Sequence, residues 1–408
     1  MHILIIHQAF ASLDEPGGTR HFEFARLLAK RGHRVTVIAS PVSYITGAHA
    51  SAPPTPGPIA SEEGSGEVAI LRAPVYSAHH KSFVHRIAAF FSFMFSSFWI
   101  GLRVKNVDVV WGTSPPIFQG ATAWALARLK RARFLFEVRD LWPEFAIAVG
   151  VLKDPLLIKA SEWLERFLYK RADRVVVNSP GFVEHVRARG ARAINLVPNG
   201  ADPAMFNPSD DGHEFRRAHG LNNKFVGLYA GAHGMSNDLD VVLDAAKLLT
   251  GRNIQVVLVG DGKEKPALLK RASELGLQNV TFVDSVPKSE MPSTLAAADA
   301  CIAILKPLEE YKTTYPNKVF DYMAAGRPVL LAIDGVIREV VERAGCGVFA
   351  EPGNAHALAE ALCKLAEDPA ESRRMGLNGR KYLEENFSRE KVAEELLDVL
   401  ERLQRRER

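Results

Sequence analysis

Cysteine is scarce in this chain. The three residues, Cys301, Cys346 and Cys363, are odd in number and lack the paired Cys-x-x-Cys spacing of a zinc site. A disulfide scaffold is thereby excluded, and a reduced cytoplasmic compartment is expected. An excess of one charge sign is also missing. Fifty-one Lys and Arg against forty-seven Asp and Glu leave a formal +4, far short of the basic stripe of a dedicated nucleic-acid binder. Long apolar runs are absent too: the longest, from Ile87 to Ile100, has about 14 residues broken by serines, whereas a bilayer span takes about 20. The opening Met1 to His7 has no basic flank and no small-residue cleavage site, so it reads as a buried strand rather than a signal peptide. What remains is ordinary globular composition, 47% hydrophobic and 24% charged, over 408 residues. At about 150 residues per domain, that length predicts two or three domains.

Apolar, β-rich runs alternate with helical patterns through the first half: HILIIH, a helix over Arg20 to Arg31, then RVTVIA, VAILRA, VDVVWG, RFLFEV and RVVVNS. The alternation restarts after Asn207 with KFVGLYAG, a helix over Leu239 to Leu249, IQVVLVGDG, a helix over Lys265 to Leu275, NVTFVD, DACIAIL, PVLLAI and CGVFAE. Such alternation predicts parallel sheets covered on both faces, an α/β architecture of two Rossmann-like, doubly wound domains. The turn-rich PNGADPAMFNP, Pro198 to Pro208, marks the join. A loop over residues 48–67, rich in Pro, Ser and Gly, reads as mobile and surface-exposed. Two helices close the chain, Ala370 to Glu385 and Arg389 to Gln404, the last with Val392, Leu396, Val399, Leu400 and Leu403 at helical spacing.

Three segments could carry chemistry. In Glu15-Pro16-Gly17-Gly18-Thr19-Arg20, Gly17 and Gly18 precede a helix whose N–H groups favour an anion, with Arg20 as a possible phosphate ligand; a plain strand-to-helix turn is the competing reading. Arg139, Asp140, Trp142 and Glu144 leave the carboxyl end of a central strand, where open α/β sheets bind ligands; Asp140 could act as base or orient a sugar hydroxyl, and an internal ion pair is the alternative. In KTTYPNKVFDYMAAGRP, Asn317 is expected to cap a helix ending at Gly326, Lys318 to neutralise a diphosphate, and Asp321 to bond a ribose. The Asp238-Leu239-Asp240 triplet reads as a capped helix start rather than a metal motif.

The order GGTRHFEFARLLAKRGHRVTVI, EVRDLWPE, VPNGAD, YAG, VLVGDG, NVTFV and NKVFDYMAAGRPV resembles family 4 glycosyltransferases of the GT-B fold over essentially the whole chain. VRDLWPE and GAHGMSNDLD resemble the bacterial surface-polysaccharide branch that includes the N-acetyl-L-fucosamine transferases. The resemblance implies two domains facing across a cleft, 1–203 for the acceptor and 204–388 for the nucleotide sugar, with 389–408 crossing back to the first. It implies retaining, metal-independent transfer from a UDP-sugar to a polyprenyl-diphosphate-linked saccharide, with no further cofactor. Of the family's two acidic residues eight positions apart, Asp321 matches the second, but Thr313 stands where the first belongs; Glu309 or Glu310 would substitute. The family's basic pair is replaced by Ala232-His233-Gly234-Met235-Ser236-Asn237, which leaves Lys265 and Lys318 for the diphosphate. The aromatic run from His79 to Lys105, flanked by His, Lys and Arg, suits an interfacial helix on the inner membrane's cytoplasmic face or, equally, a buried domain helix. Thr313 motivates one alternative, a catalytically weak nucleotide-sugar-binding subunit, and the two-domain architecture would equally serve another, a UDP-sugar epimerase.

Overall fold

The structure, a computed structural model, describes residues 1–15, 17–42, 58–59, 68–76 and 83–405. The loop expected to be mobile lies outside them apart from residues 58–59. The chain forms two compact units, Met1–Pro198 with Glu390–Arg408, and Asn199–Arg389.

The first unit is built on β1 (His2–Ile6), β2 (Arg34–Ala39), β3 (Pro58–Ile59), β4 (Val68–Arg72), β5 (Val109–Ser114), β6 (Arg133–Val138), β7 (Arg174–Val177) and β8 (Ile194–Leu196). They lie in the order β3-β4-β2-β1-β5-β6-β7-β8, all parallel except the two-residue β3. Successive side chains of a strand point to opposite faces, and β1 shows the consequence. Ile3 and Ile5 face a core with Phe24 and Leu28 of helix Arg20–Lys30, while Leu4 and Ile6 face a core with Phe93, Leu126 and Leu168. The second core is covered by helices Phe83–Arg103, Phe118–Lys130 and Pro155–Arg171.

The last helix, Arg389–Arg405, belongs to the first unit. Its Val392, Leu396, Val399, Leu400 and Leu403 join the core of Ile3, Ile5 and Trp111. Full burial of a side chain of this size is worth roughly 1.5–3 kcal/mol, so the stripe repays the return of the chain.

The second unit is built on β9 (Phe225–Ala230), β10 (Ile254–Val259), β11 (Val280–Val283), β12 (Ala300–Ile304), β13 (Val329–Ala332) and β14 (Gly347–Phe349). The sheet is wholly parallel, in the order β11-β10-β9-β12-β13-β14. Winding reverses between β1 and β5 in one sheet and between β9 and β12 in the other. At such points the outgoing loops diverge and leave a crevice at the carboxyl ends of the strands. Both units are doubly wound α/β layers.

Candidate functional site

In the first unit, the crevice region is organised around a carboxylate hidden in a strand. Glu137 of β6 is fully buried and ion-paired to Arg20 Nε at 3.0 Å and His21 Nε2 at 2.5 Å. Burial alone would raise its carboxyl, yet His21 and Arg20 hold it far below the usual carboxylate range. Burial lowers His21 while Glu137 pulls it the other way, and the ring Nε2 shares a hydrogen bond with the Glu137 carboxylate. His7, at the carboxyl end of β1, contacts His21 with ring centroids 4.2 Å apart and is held neutral by burial.

This arrangement corrects the expectation for Arg20. Its guanidinium is buried, with Nη1 donating to Pro198 O at 2.6 Å and Nη2 to Val197 O at 2.7 Å besides the Glu137 pair. It ties the helix after β1 to the end of the β8 segment and is not presented to a phosphate. Gly18 has open space where a side chain would stand, so no close backbone approach requires it. Gly17 adopts φ 150°, and Thr19 Oγ1 donates to Glu23 at 2.5 Å to start the helix.

Arg139 and Asp140 lie together at the end of β6. Arg139 donates to Thr113 Oγ1 and to Pro115 O, both at 2.9 Å, and so fastens β6 to the end of β5. Asp140 is exposed at the crevice rim, but the protein packed round it pushes its carboxyl up to about 6, with Arg139 pulling the other way. Glu144 joins a different group: its Oε2 is 2.7 Å from His185 Nδ1 and 3.6 Å from Arg189. His185 and Arg189 are shared with fully buried Glu165. Glu144 therefore serves a buried charge network, while Asp140 stays at the rim.

In the second unit, two loops close on each other at the switch point. His233 N donates to Asp261 O at 2.8 Å, and Glu264 N to His233 O at 3.0 Å. Gly260, φ 148°, sits where a Cβ would lie 1.9 Å from Gly231 O. Only glycine allows that approach. A third loop joins from β12, with Lys306 N donating to Ser236 O at 3.0 Å and Tyr311 Oη to Ser236 Oγ at 2.6 Å.

Lys318, on helix Asn317–Ala324, enters this frame. Its Nζ stands 3.9 Å from the Tyr229 ring centroid and 3.3 Å from Asn237 Oδ1, and a Cβ on Gly231 would lie 3.0 Å from it. No carboxylate pairs with it among the described ion pairs, and burial lowers its ammonium to about 7. An anion arriving here would restore the charge that desolvation penalises. Buried His233 is lowered to about 4, by desolvation first and Lys265 second, and neither ring nitrogen has a hydrogen-bond partner among the described residues.

The other expected ligands are placed differently. Lys265 Nζ is taken by Asp284 at 2.6 Å and Gly260 O at 2.9 Å, so it braces the loop after β10. Asp321 Oδ1 lies 2.5 Å from Lys288 Nζ. Asn317 does not cap its helix: extended Pro316 holds the cap position, and Asn317 Oδ1 is buried without a hydrogen-bond partner among the described residues. Nor does Asp238 cap the next helix by its side chain; it adopts φ 46°, and Asp240 instead pairs with Arg271 at 2.7 Å. Thr313 Oγ1 donates to Glu310 O at 2.6 Å, and Glu309 pairs with Lys312, also at 2.6 Å. Sequence reasoning missed Glu137, His21, His7 and Tyr229. A charged residue inside the apolar run RFLFEV was the available signal for the first.

Residues 17–200 match the family described as glycosyl transferase 4-like domain, and residues 224–368 the glycosyl transferases group 1. The chain is 25% identical over 392 residues to WcaI of Escherichia coli, whose name places it in colanic acid biosynthesis as a glycosyl transferase; the match covers 92% of this chain and 94% of WcaI. In fold it is similar to sucrose-phosphate synthase of Thermosynechococcus elongatus, with TM-score 0.78, 19% identity and 98% of each chain covered. It is also similar to Anabaena HepE in complex with UDP-glucose, with TM-score 0.71, 17% identity, and 98% of this chain and 99% of that one covered.

Proposed function

We propose, from the premise that this chain belongs to the glycosyltransferases, that it moves a sugar with retention of configuration from a UDP-sugar to a lipid-linked saccharide in bacterial surface-polysaccharide synthesis. The observation that carries the donor assignment is Lys318, desolvated over the Tyr229 ring and without a carboxylate partner among the described residues, at the switch point of the second unit. UDP-glucose in HepE and the colanic acid role in WcaI's name support the choice of donor and pathway class.

Lys318 would meet the charge of the leaving diphosphate, and Asp321, steadied by Lys288, would take the ribose hydroxyls. The sugar C1–O bond to phosphate breaks as a phosphate oxygen takes the acceptor hydroxyl proton, and that hydroxyl oxygen bonds C1 on the same face. Charge stabilisation of the leaving group supplies most of the acceleration. No divalent cation is part of this proposal. The transferred sugar is proposed to be an N-acetylated deoxyhexosamine, by resemblance to the fucosamine-type branch.

Thermal shift tests the donor site. UDP at 100 times its dissociation constant should add about 2.7 kcal/mol to the wild type, with little from GDP, ADP or NAD. Asp321→Asn, which keeps an acceptor oxygen beside Lys288, should lose most of the UDP shift. An unchanged shift in that variant removes Asp321 from the site, and a preference for NAD removes the donor assignment. Product analysis without acceptor separates an epimerase, which would interconvert the free nucleotide sugar.

Asp140 is proposed to hold the acceptor hydroxyl as an ionised carboxylate. Because its carboxyl is raised to about 6, kcat/KM should climb as pH rises through about 6. In Asp140→Asn that limb should vanish and the plateau should drop. If the variant keeps the limb, another group controls it.

A further inference from the structure

Two buried histidines have no hydrogen-bond partner on either ring nitrogen among the described residues, His7 in the first unit and His233 in the second. They are 1% and 0% exposed. Each follows a strand at which winding reverses: His7 comes directly after β1, and His233 three residues after β9. Folded proteins meet nearly all of their buried polar atoms, because an unmet one has lost its water without replacement. Other histidines packed in the first unit follow that rule. His2 reaches Thr36 Oγ1 at 2.9 Å, His21 reaches Glu137, and His185 lies between Glu144 and Glu165. Unmet capacity that recurs at both switch points, where doubly wound sheets take their ligands, marks groups kept for binding.

The surroundings of His7 select the ligand. Its ring lies 4.2 Å from the His21 ring and 6.1 Å, edge to face, from the Phe10 ring. Burial, His21 and Arg139 all oppose a second proton, so the ring carries one N–H and one bare nitrogen. It asks for one acceptor and one donor. The charge of Arg139 is countered by Glu137 and Asp140, and its guanidinium is turned to Thr113 Oγ1 and Pro115 O. A carboxylate or phosphate offers acceptors alone, would leave the bare nitrogen unmet, and would be repelled by ionised Asp140 at the rim. Hydroxyl groups serve in both roles.

We propose that His7 hydrogen-bonds hydroxyl groups of the acceptor sugar, and that the acceptor presents to the first unit a neutral, polyhydroxylated ring rather than a carboxylate or phosphate. The assignment rests on the proposed transfer to a saccharide; it adds which residue holds that saccharide and which sugars are admitted. A histidine kept for a ligand destabilises the unliganded fold, so removing its nitrogens should raise stability while weakening binding. A histidine kept for the fold would do the reverse.

The test compares full-length wild type, His7→Phe, His7→Leu and His7→Gln by thermal melting and by saturation-transfer NMR. The probes are the methyl glycosides of glucose, galactose and N-acetylglucosamine, and the anionic methyl glucuronide. The wild type should bind at least one neutral glycoside about tenfold better than the glucuronide. The Phe and Leu variants should melt at or above the wild-type temperature and bind the neutral glycosides roughly tenfold more weakly. His7→Gln, which keeps a donor and an acceptor, should fall between. The shift that UDP gives should be equal in all four proteins; its absence from the wild type would count against the donor reading, while the glycoside arm still decides His7. A wild type that binds no neutral glycoside, variants that bind them unchanged, or a preference for the glucuronide overturns the proposal. So does a lower melting temperature in both apolar variants, which would show the nitrogens satisfied within the fold. Loss of the UDP shift in His7→Phe would give the residue to the donor instead.

Discussion

Replacing Lys318 by Met is expected to lower kcat by roughly 10²–10³ and to remove most of the stabilisation that UDP gives, while the apo fold persists. The side chain lies over Tyr229 with no carboxylate partner among the described ion pairs, so the neutral methionine leaves no counter-charge behind. The pH dependence makes the test specific. With its ammonium lowered to about 7 in the folded chain, the residue binds fewer protons there than in the unfolded chain between about 7 and its ordinary value near 10.4. Wild-type stability should therefore rise with pH across that window relative to Lys318→Met. UDP affinity should move the other way, falling by up to about tenfold per unit above pH 7 as the free site loses its proton. Calorimetric titration at three pH values reads the affinity arm, and denaturant unfolding of both proteins at the same pH values reads the stability arm. A variant that binds UDP as the wild type does, or an affinity flat across that window, would sink the assignment.

The largest stability effect is expected at Glu137, which touches no proposed substrate. Glu137→Ala leaves the buried Arg20 guanidinium without its carboxylate and should cost about 3–5 kcal/mol. For a unit of this size that is a fall in Tm on the order of 10 °C. The sign with pH follows from a carboxyl held below its unfolded value. Its contribution is full above the unfolded pKa of about 4.3 and is lost as pH falls through the folded one, so the variant's deficit should shrink on acidification. Combining Glu137→Met with Arg20→Met should recover much of the loss, because an apolar pair leaves no charge stranded. Chemical denaturation of the wild type, Glu137→Met, Arg20→Met and the double variant measures the coupling directly. A Glu137→Ala melting at the wild-type temperature would mean that the pair contributes nothing.

The same two residues show where sequence reading stopped. Arg20 follows Gly17 and Gly18 and opens a helix, the local pattern of a phosphate site. Nothing local reveals that Glu137, 117 positions away, claims its Nε, or that Val197 and Pro198 claim the rest of the guanidinium. Lys265 and Lys318 looked equivalent in the sequence, each basic and near a helix start. The sheet separated them: Asp284 follows β11, the neighbour of β10, and so reaches Lys265, whereas Lys318 meets an aromatic ring and an amide. Asn317 had the right chemistry for a cap but stands one residue too late, because Pro316 takes the extended position.

The sequence by itself determined most of the strands, some of the helices and the doubly wound class. Those follow from hydrophobic period and turn chemistry, which act over a few residues and are written in consecutive letters. It also determined that the last helix must bury a face, because Val392, Leu396, Val399, Leu400 and Leu403 share one stripe. Which core receives that stripe, which charges neutralise each other and which cation stays unclaimed were decided only by tertiary structure. Pairing and desolvation depend on groups brought within a few ångströms from distant positions, and a buried charge takes whichever partner the sheet order delivers.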